Sequence, residues 1–170
     1  MRVQVCVPGL LESNCKQYPN GNFKPTGILH DFGETDKMKF GLLTGSYAKN
    51  LSGGVLRKAM GSFTDEIDAN DGTFTSTVGI VKTVDRFREL GFNTSYTHGS
   101  NCGFIFTRPF NEGECRWWGN PIGEMMYEGL RYFAGKGTPT SDFNISASSN
   151  DDATLGLPLA AWDDPYDPNT

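Results

Sequence analysis

His30 and His98 are the first candidates for proton transfer in this sequence, because an unperturbed imidazole changes charge near neutral pH. His30 falls in a short predicted helix and His98 in a Thr/Ser/Asn/Gly loop. No Gly-x-Ser-x-Gly elbow accompanies either, and cysteine pairing would leave no thiol nucleophile. Both are read as exposed and non-catalytic. Glu124 and Glu128 stand four residues apart, with Arg131 three residues further on. Such a carboxylate pair can serve glycoside hydrolysis, but Glu near a helix start and Arg near its end also suit the dipole on a solvated face. The solvated face is preferred, since nothing brings a third polar group to the pair. Trp117 and Trp118 could stack against sugars. Flanked by Cys115 and a helix start, they are expected to staple the helix entry to the core.

The glycine-rich loops Gly45–Gly54 and Gly99–Gly103 match neither phosphate-cradling fingerprint. The run Asp68-Ala69-Asn70-Asp71-Gly72 resembles a calcium loop only at its start. An EF-hand needs an oxygen ligand fifth, Gly sixth and Glu twelfth, where this chain has Gly72, Thr73 and Gly79. A hairpin turn is the better reading. Three glycosylation sequons begin at Asn50, Asn93 and Asn144, and matter only in a eukaryotic secretory host.

Cys6, Cys15, Cys102 and Cys115 form no CxxC and have no His-rich neighbourhood, so zinc-site signatures are missing. Three disulfide connectivities are possible. Local pairing, Cys6–Cys15 and Cys102–Cys115, would pin two Gly/Asn-rich loops, each stabilised by roughly 2–3 kcal/mol. That implies a periplasmic or extracellular setting. Met1–Cys6 carries no charged n-region or apolar h-region, so the chain is expected to be a piece of a larger secreted protein.

The elements that must position these groups alternate. Arg2–Cys6 reads as a strand and Pro8–Asn22 as a cysteine-closed loop. A short helix follows Pro25 and ends at Gly33. Lys39–Thr44 is the best strand, a continuous apolar run suited to a sheet interior, and Val55–Met60 is a second short strand or a turn of helix. Phe63–Ile67 and Thr73–Thr75 flank the turn at Asn70-Asp71-Gly72. A helix over about Gly79–Leu90, capped by Ser76 or Thr77, would bury Ile80, Val84 and Phe87. A second, from Pro121 to Ala134 with Asn120 as N-cap, would bury Ile122, Met125, Met126, Leu130 and Phe133. The pattern predicts an α/β sheet with helices on its faces.

Composition bounds the rest. The 170 residues carry a formal charge of −5, with a pI near 5.0 and a mean hydropathy of −0.42. With 21 Gly and 9 Pro, much of the chain should be loop. The charge argues against a nucleic-acid binder, and no apolar run is long enough to span a membrane. Residues 1–136 hold all 15 basic residues and 14 of the 20 acidic ones, while 137–170 hold six Asp and no Lys or Arg. The expected organisation is an α/β body over 1–136 with two local disulfides, then an acidic, extended connecting tail over 137–170.

Several runs together resemble the PilC/PilY family. They are Phe23–Leu29, Met38–Tyr47, Ser52–Arg57, Trp118–Glu124, Tyr127–Gly135 and Leu155–Pro158 leading to Trp162 and Asp164-Pro165-Tyr166. The family comprises large secreted type IV pilus tip proteins, used in pilus assembly, adhesion, twitching and surface sensing. The resemblance implies an interior segment of the von Willebrand factor A-like N-terminal half, a partial Rossmann-type sheet with loop-rich, disulfide-pinned insertions. It implies no enzymatic activity and a location at the cell surface, on the pilus tip or outer membrane, reached through the periplasm. The implied partners are minor pilins, the rest of the parent protein and a host or abiotic surface. Asn120-Pro121-Ile122-Gly123 is similar to a loop in which a Thr helps hold a metal. Asn120 stands in the Thr place, and its amide oxygen could ligate a hard cation. No Asp-x-Ser-x-Ser loop occurs in these residues, so no cofactor is expected in this segment, and calcium or magnesium would belong to the full-length protein. The alternative is a secreted carbohydrate-binding or glycan-cleaving module using Trp117, Trp118 and the carboxylates.

Overall fold

The structure, a computed structural model, describes residues 3–91, 94–95, 108–146 and 150–167. Strand β1 (Cys15–Gln17) pairs antiparallel with β2 (Phe23–Pro25), and β3 (Phe40–Thr44) with β4 (Val55–Gly61). Helices α1 (Ile80–Arg86), α2 (Ile122–Phe133) and α3 (Asn150–Thr154) follow. A π-helical turn covers Leu29–Gly33 and a 3-10 turn Thr64–Glu66. The chain is thus mixed α/β. Among the described residues, however, strands pair only as two antiparallel ribbons of two, not as a parallel Rossmann-type sheet. The apolar run of β3 reports partial burial on both faces, and that pattern carries no information on pairing direction.

The amino-terminal strand is corrected as well. Residues 3–6 are irregular, and Val7 makes only an isolated bridge to Leu10. The Cys6–Cys15 disulfide closes this loop, with Cα atoms 5.6 Å apart, and ladder pairing begins only at Cys15. The turn at Asn70-Asp71-Gly72 is borne out, but its flanks are not strands: Thr64–Glu66 is a 3-10 turn, and the two sides meet in one isolated bridge. Ile67 bridges Phe74, the Asp68 amide donates to the Thr73 carbonyl at 2.8 Å, and Gly72 takes the left-handed φ of 72°. Glycine is required there twice over, since an added Cβ would also run into the Tyr18 ring.

Helix α1 is not capped by Ser76 or Thr77. Gly79 holds the N-cap position, and the cap is supplied from afar: the Val81 amide donates to Glu66 Oε2 at 3.0 Å. A side chain at 79 would occupy the space of the Glu66 carboxylate. Glu66 is buried and paired with Lys58 Nζ at 2.5 Å. The helix stops at Arg86, because Phe87 is already extended (ψ 135°). Its inward residue is Thr83, while Val84 is exposed.

The segment expected to run as an extended tail instead packs on the body over its described residues. The Ala160 amide donates to the Leu56 carbonyl at 3.0 Å, Ile145 and Leu157 are buried, and Trp162 meets Tyr132 edge-on at 5.6 Å. A further anchor is electrostatic. Asp152 on α3 is ion-paired with Arg57 on β4, and both side chains are buried. Asp152 Oδ2 also accepts the Tyr47 and Ala48 amides at 3.0 and 3.3 Å. Burial holds the pKa of Arg57 below its ordinary value, and the Asp152 hydrogen bond and charge offset only part of that shift.

Removing one member of a buried pair strands the other charge. Asp152→Ala is therefore expected to destabilise the chain by about 3–5 kcal/mol. The double variant Arg57→Met/Asp152→Leu should recover most of that loss. Urea unfolding of the three proteins checks both statements, and a double variant as weak as the single one would contradict them.

Candidate functional site

Because Arg57 and Asp152 fix Tyr47 and Ala48, the loop between β3 and β4 is held against the polypeptide that precedes α2. Asn50 is the junction. Its side-chain amide donates to the carbonyls of Glu114, Cys115 and Trp118 at 3.0, 3.4 and 2.7 Å, and its Oδ1 accepts the Gly113 amide at 2.9 Å. Asn50 is buried, with both Nδ2 hydrogens engaged and Oδ1 accepting one bond. This first sequon is therefore a structural device, and the folded protein has no room for a glycan on Nδ2. The Asn144 sequon is exposed, and the Asn93 sequon begins outside the described residues.

Between this junction and the end of α1 lies an open cavity of about 350 Å³. Tyr47, Phe87, Trp117 and Trp118 supply aromatic walls, with Arg88 and Arg116 at the rim. Tyr47 is pinned. Its hydroxyl donates to the Arg88 carbonyl at 2.6 Å and accepts the Arg88 amide at 3.1 Å. Burial holds its pKa above the ordinary value, so it stays a neutral phenol. Phe110 meets Trp118 edge-on at 6.1 Å, and Gly91 leaves the space that the Trp117 ring fills. The two tryptophans are half-buried, placed both to fix the approach to α2 and to line the cavity. The rim cations are engaged internally: Arg116 pairs with Asp151, and Arg88 Nη1 donates to the Phe87 carbonyl at 2.7 Å. What remains is a set of aromatic faces able to stack on a flat apolar surface.

The turn that feeds Asn50 has its own clamp. Arg108 and Glu114 form a two-pronged pair at 2.9 and 2.6 Å, and Glu114 Oε2 also accepts the Asn111 amide at 2.9 Å. These bonds, that from Arg108 foremost, pull the Glu114 carboxyl down to about 2. Its contribution is complete above the unfolded carboxylate range near pH 4.5 and disappears as pH falls toward 2.

The remaining candidates are scattered. His30 is buried rather than exposed: its Nε2 lies 3.3 Å from the Gly72 carbonyl and its ring 5.0 Å from Phe74. His98 and the Gly99–Gly103 loop lie outside the described residues. Glu128 does not stand on a solvated face. It is fully buried, accepts the Thr140 amide at 2.9 Å and the Thr140 hydroxyl, and pairs with Arg131 at 3.2 Å. Both of its oxygens are thereby engaged, while Glu124 is only half-buried. Cys6 and Cys15 are joined; Cys115 is disulfide-bonded, and Cys102 lies outside the described residues. Asn120 is exposed at the entry to α2. The one group of three close His, Cys, Asp or Glu side chains among the described residues is Cys6, Glu12 and Cys15, around the disulfide. Asn120 offers a single amide oxygen, and among the described residues no group of three close His, Cys, Asp or Glu side chains includes it or lies at the entry to α2. Sequence reasoning missed Arg57, Asp152 and Asn50, whose long-range partners lie 63 to 105 positions away; no local pattern announces such pairings.

A family model described as the second domain of the PilY1 homolog matches residues 40–170, beginning at the first residue of β3. The chain is also 51% identical to a type IV pilus biogenesis factor PilY1 homolog of Xylella fastidiosa. The match covers 98% of this chain and 12% of that protein, so the chain spans about an eighth of its relative. No solved structure matches.

Asn50→Ala would leave the Gly113 amide and three carbonyls without their partner. The expected loss is about 2–4 kcal/mol, from several bonds each worth roughly 1 kcal/mol. Thermal unfolding of Asn50→Ala beside Asn144→Ala checks this, since the exposed Asn144 should tolerate the change within about 0.5 kcal/mol.

Proposed function

The chain belongs to the family of PilY1-homolog second domains, and from that premise we propose that it is a non-enzymatic segment of a type IV pilus biogenesis factor. The observation that carries this reading is the 51% identity along 98% of the chain to a protein of that name. The segment would act within a much longer polypeptide, exported through the periplasm to the cell surface, in pilus assembly, surface attachment and twitching. Its partners would be minor pilins and the rest of the parent, together with a host or abiotic surface. The disulfide Cys6–Cys15 supports an oxidising compartment. No helix among the described residues is long and apolar enough to cross a membrane. A von Willebrand factor A-like sheet would lie largely in flanking polypeptide, and any calcium or magnesium would take its carboxylate ligands from there.

A second reading is favoured by one observation, the four aromatic walls of the cavity at Trp117 and Trp118. On that reading the segment binds a glycan by ring stacking.

In-frame deletion of residues 40–167 from the parent gene separates the two. On the first reading, pilin recovered by shearing cells falls to background while Trp117→Ala/Trp118→Ala leaves it unchanged. Wild-type piliation in the deletion strain overturns the first reading. Glycan-array binding that is lost in the folded double variant would establish the second.

A further inference from the structure

Helix α2 is built inside out. Its exposed positions are Ile122, Met126, Leu130 and Phe133, at 57, 66, 70 and 50% exposure, with Tyr127 beside them at 51%. Its charged residues face the other way: Glu128 is fully buried, Arg131 is folded against it, and Glu124 is half-buried. An amphipathic helix at a solvated surface shows the reverse arrangement. The inner side is also aromatic, since Tyr132 is buried, its hydroxyl accepts the Met60 amide at 3.0 Å, and its ring packs on Trp162. A helix that packs its charged and aromatic side into the body and leaves an apolar stripe outward belongs between two layers, and the described residues supply one.

We propose that the Ile122–Met126–Leu130 ridge and Phe133 form a docking face for an apolar surface of the parent polypeptide outside these 170 residues. The inference rests on the reading above, that the chain is a segment of a longer protein. Three observations favour that occupant. The chain spans only 12% of its relative's length, so most of such a polypeptide is available, and tethering presents it at a high effective concentration. Tyr166 packs against Phe133, with ring centroids 6.4 Å apart, so polypeptide continuing beyond it would depart from the rim of this face. The exposed positions bear no charge. A helix lying on a membrane surface would carry a basic polar face, whereas the polar side of α2 carries two Glu and one Arg and is turned into the body. The spacing of four between Ile122, Met126 and Leu130 makes one continuous ridge, suited to the groove of another helix.

The test is photocrosslinking in the full-length parent. It uses p-benzoyl-phenylalanine in place of Leu130 in one sample and of Met126 in another, each purified from mixed light- and heavy-isotope cultures. Both sites are exposed, and two positions keep the test valid if one substitution disturbs folding. The expected product joins α2 to a peptide of the parent outside residues 1–170, in light–light and heavy–heavy pairs only. Mixed-isotope pairs would assign the face to a second copy, and crosslinks to another protein or to lipid would assign it elsewhere; either overturns the proposal. So does the absence of a crosslink at both positions. Piliation of the deletion strain is scored separately, so the functional reading and the docking face can fail independently.

Discussion

The fold turns on one guanidinium. Arg57 enters β4 with its side chain excluded from solvent, and a buried cation is tolerated only when its donors are satisfied. Nε donates to the Thr44 hydroxyl at 2.9 Å and Nη1 to the Pro158 carbonyl at 3.2 Å. Nη2 donates to the Gly45 carbonyl at 3.1 Å and to Asp152. These acceptors come from the end of β3, the loop after it and two parts of the carboxy-terminal segment. Each must be in place before the charge is comfortable, so one side chain couples elements about 100 residues apart. The planar fork of Arg is suited to this, as the point charge of Lys is not.

The same logic recurs around the body with carboxylates at the centre. Glu66 takes a Lys58 ammonium and the Val81 amide, which fixes where α1 begins. Glu128 takes Thr140 and Arg131, which holds the chain after α2 against the helix. Gly79 and Gly54 leave room for these two carboxylate side chains. Much of the core is therefore specified by polar junctions rather than by a broad apolar layer, in keeping with a small set of fully buried large side chains that includes Phe63, Glu66 and Glu128. Such junctions favour one arrangement over near alternatives, because a shift of register would leave buried charges unpaired.

Local features were legible in the sequence. The apolar run of β3, the span of α2, the turn at Asn70-Asp71-Gly72 and the Cys6–Cys15 bridge all follow from propensity, glycine placement or short separation. Orientation was not. Periodicity finds the apolar stripe of α2 but cannot say which body it faces, and here the segment's own core receives Glu128 and Tyr132 instead. The tail looked unstructured because it lacks periodicity and basic residues. Its order comes from partners in the body, which a window of ten or twenty residues does not contain. The candidate site fared similarly: Trp117 and Trp118 were noticed by type, while Tyr47 and Asn50, which position the cavity around them, are visible only once β3 and β4 are paired.

The charge asymmetry between body and tail then takes on a physical meaning. Two of the six tail aspartates are matched to body cations, Asp152 to Arg57 and Asp151 to Arg116. They are adjacent on the short helix α3, so a single turn of backbone delivers both carboxylates, one into the core and one to the edge of the aromatic cavity. Helix α3 is too short to persist by propensity alone; it is held by the contacts its acids make. The acidic composition of residues 137–170 is therefore only partly a matter of solvation. Part of it is the counter-charge that lets Arg57 be buried. The cavity, the approach to α2 and the placement of the tail are consequences of the same pairing, and a change at Arg57 should be felt at all three.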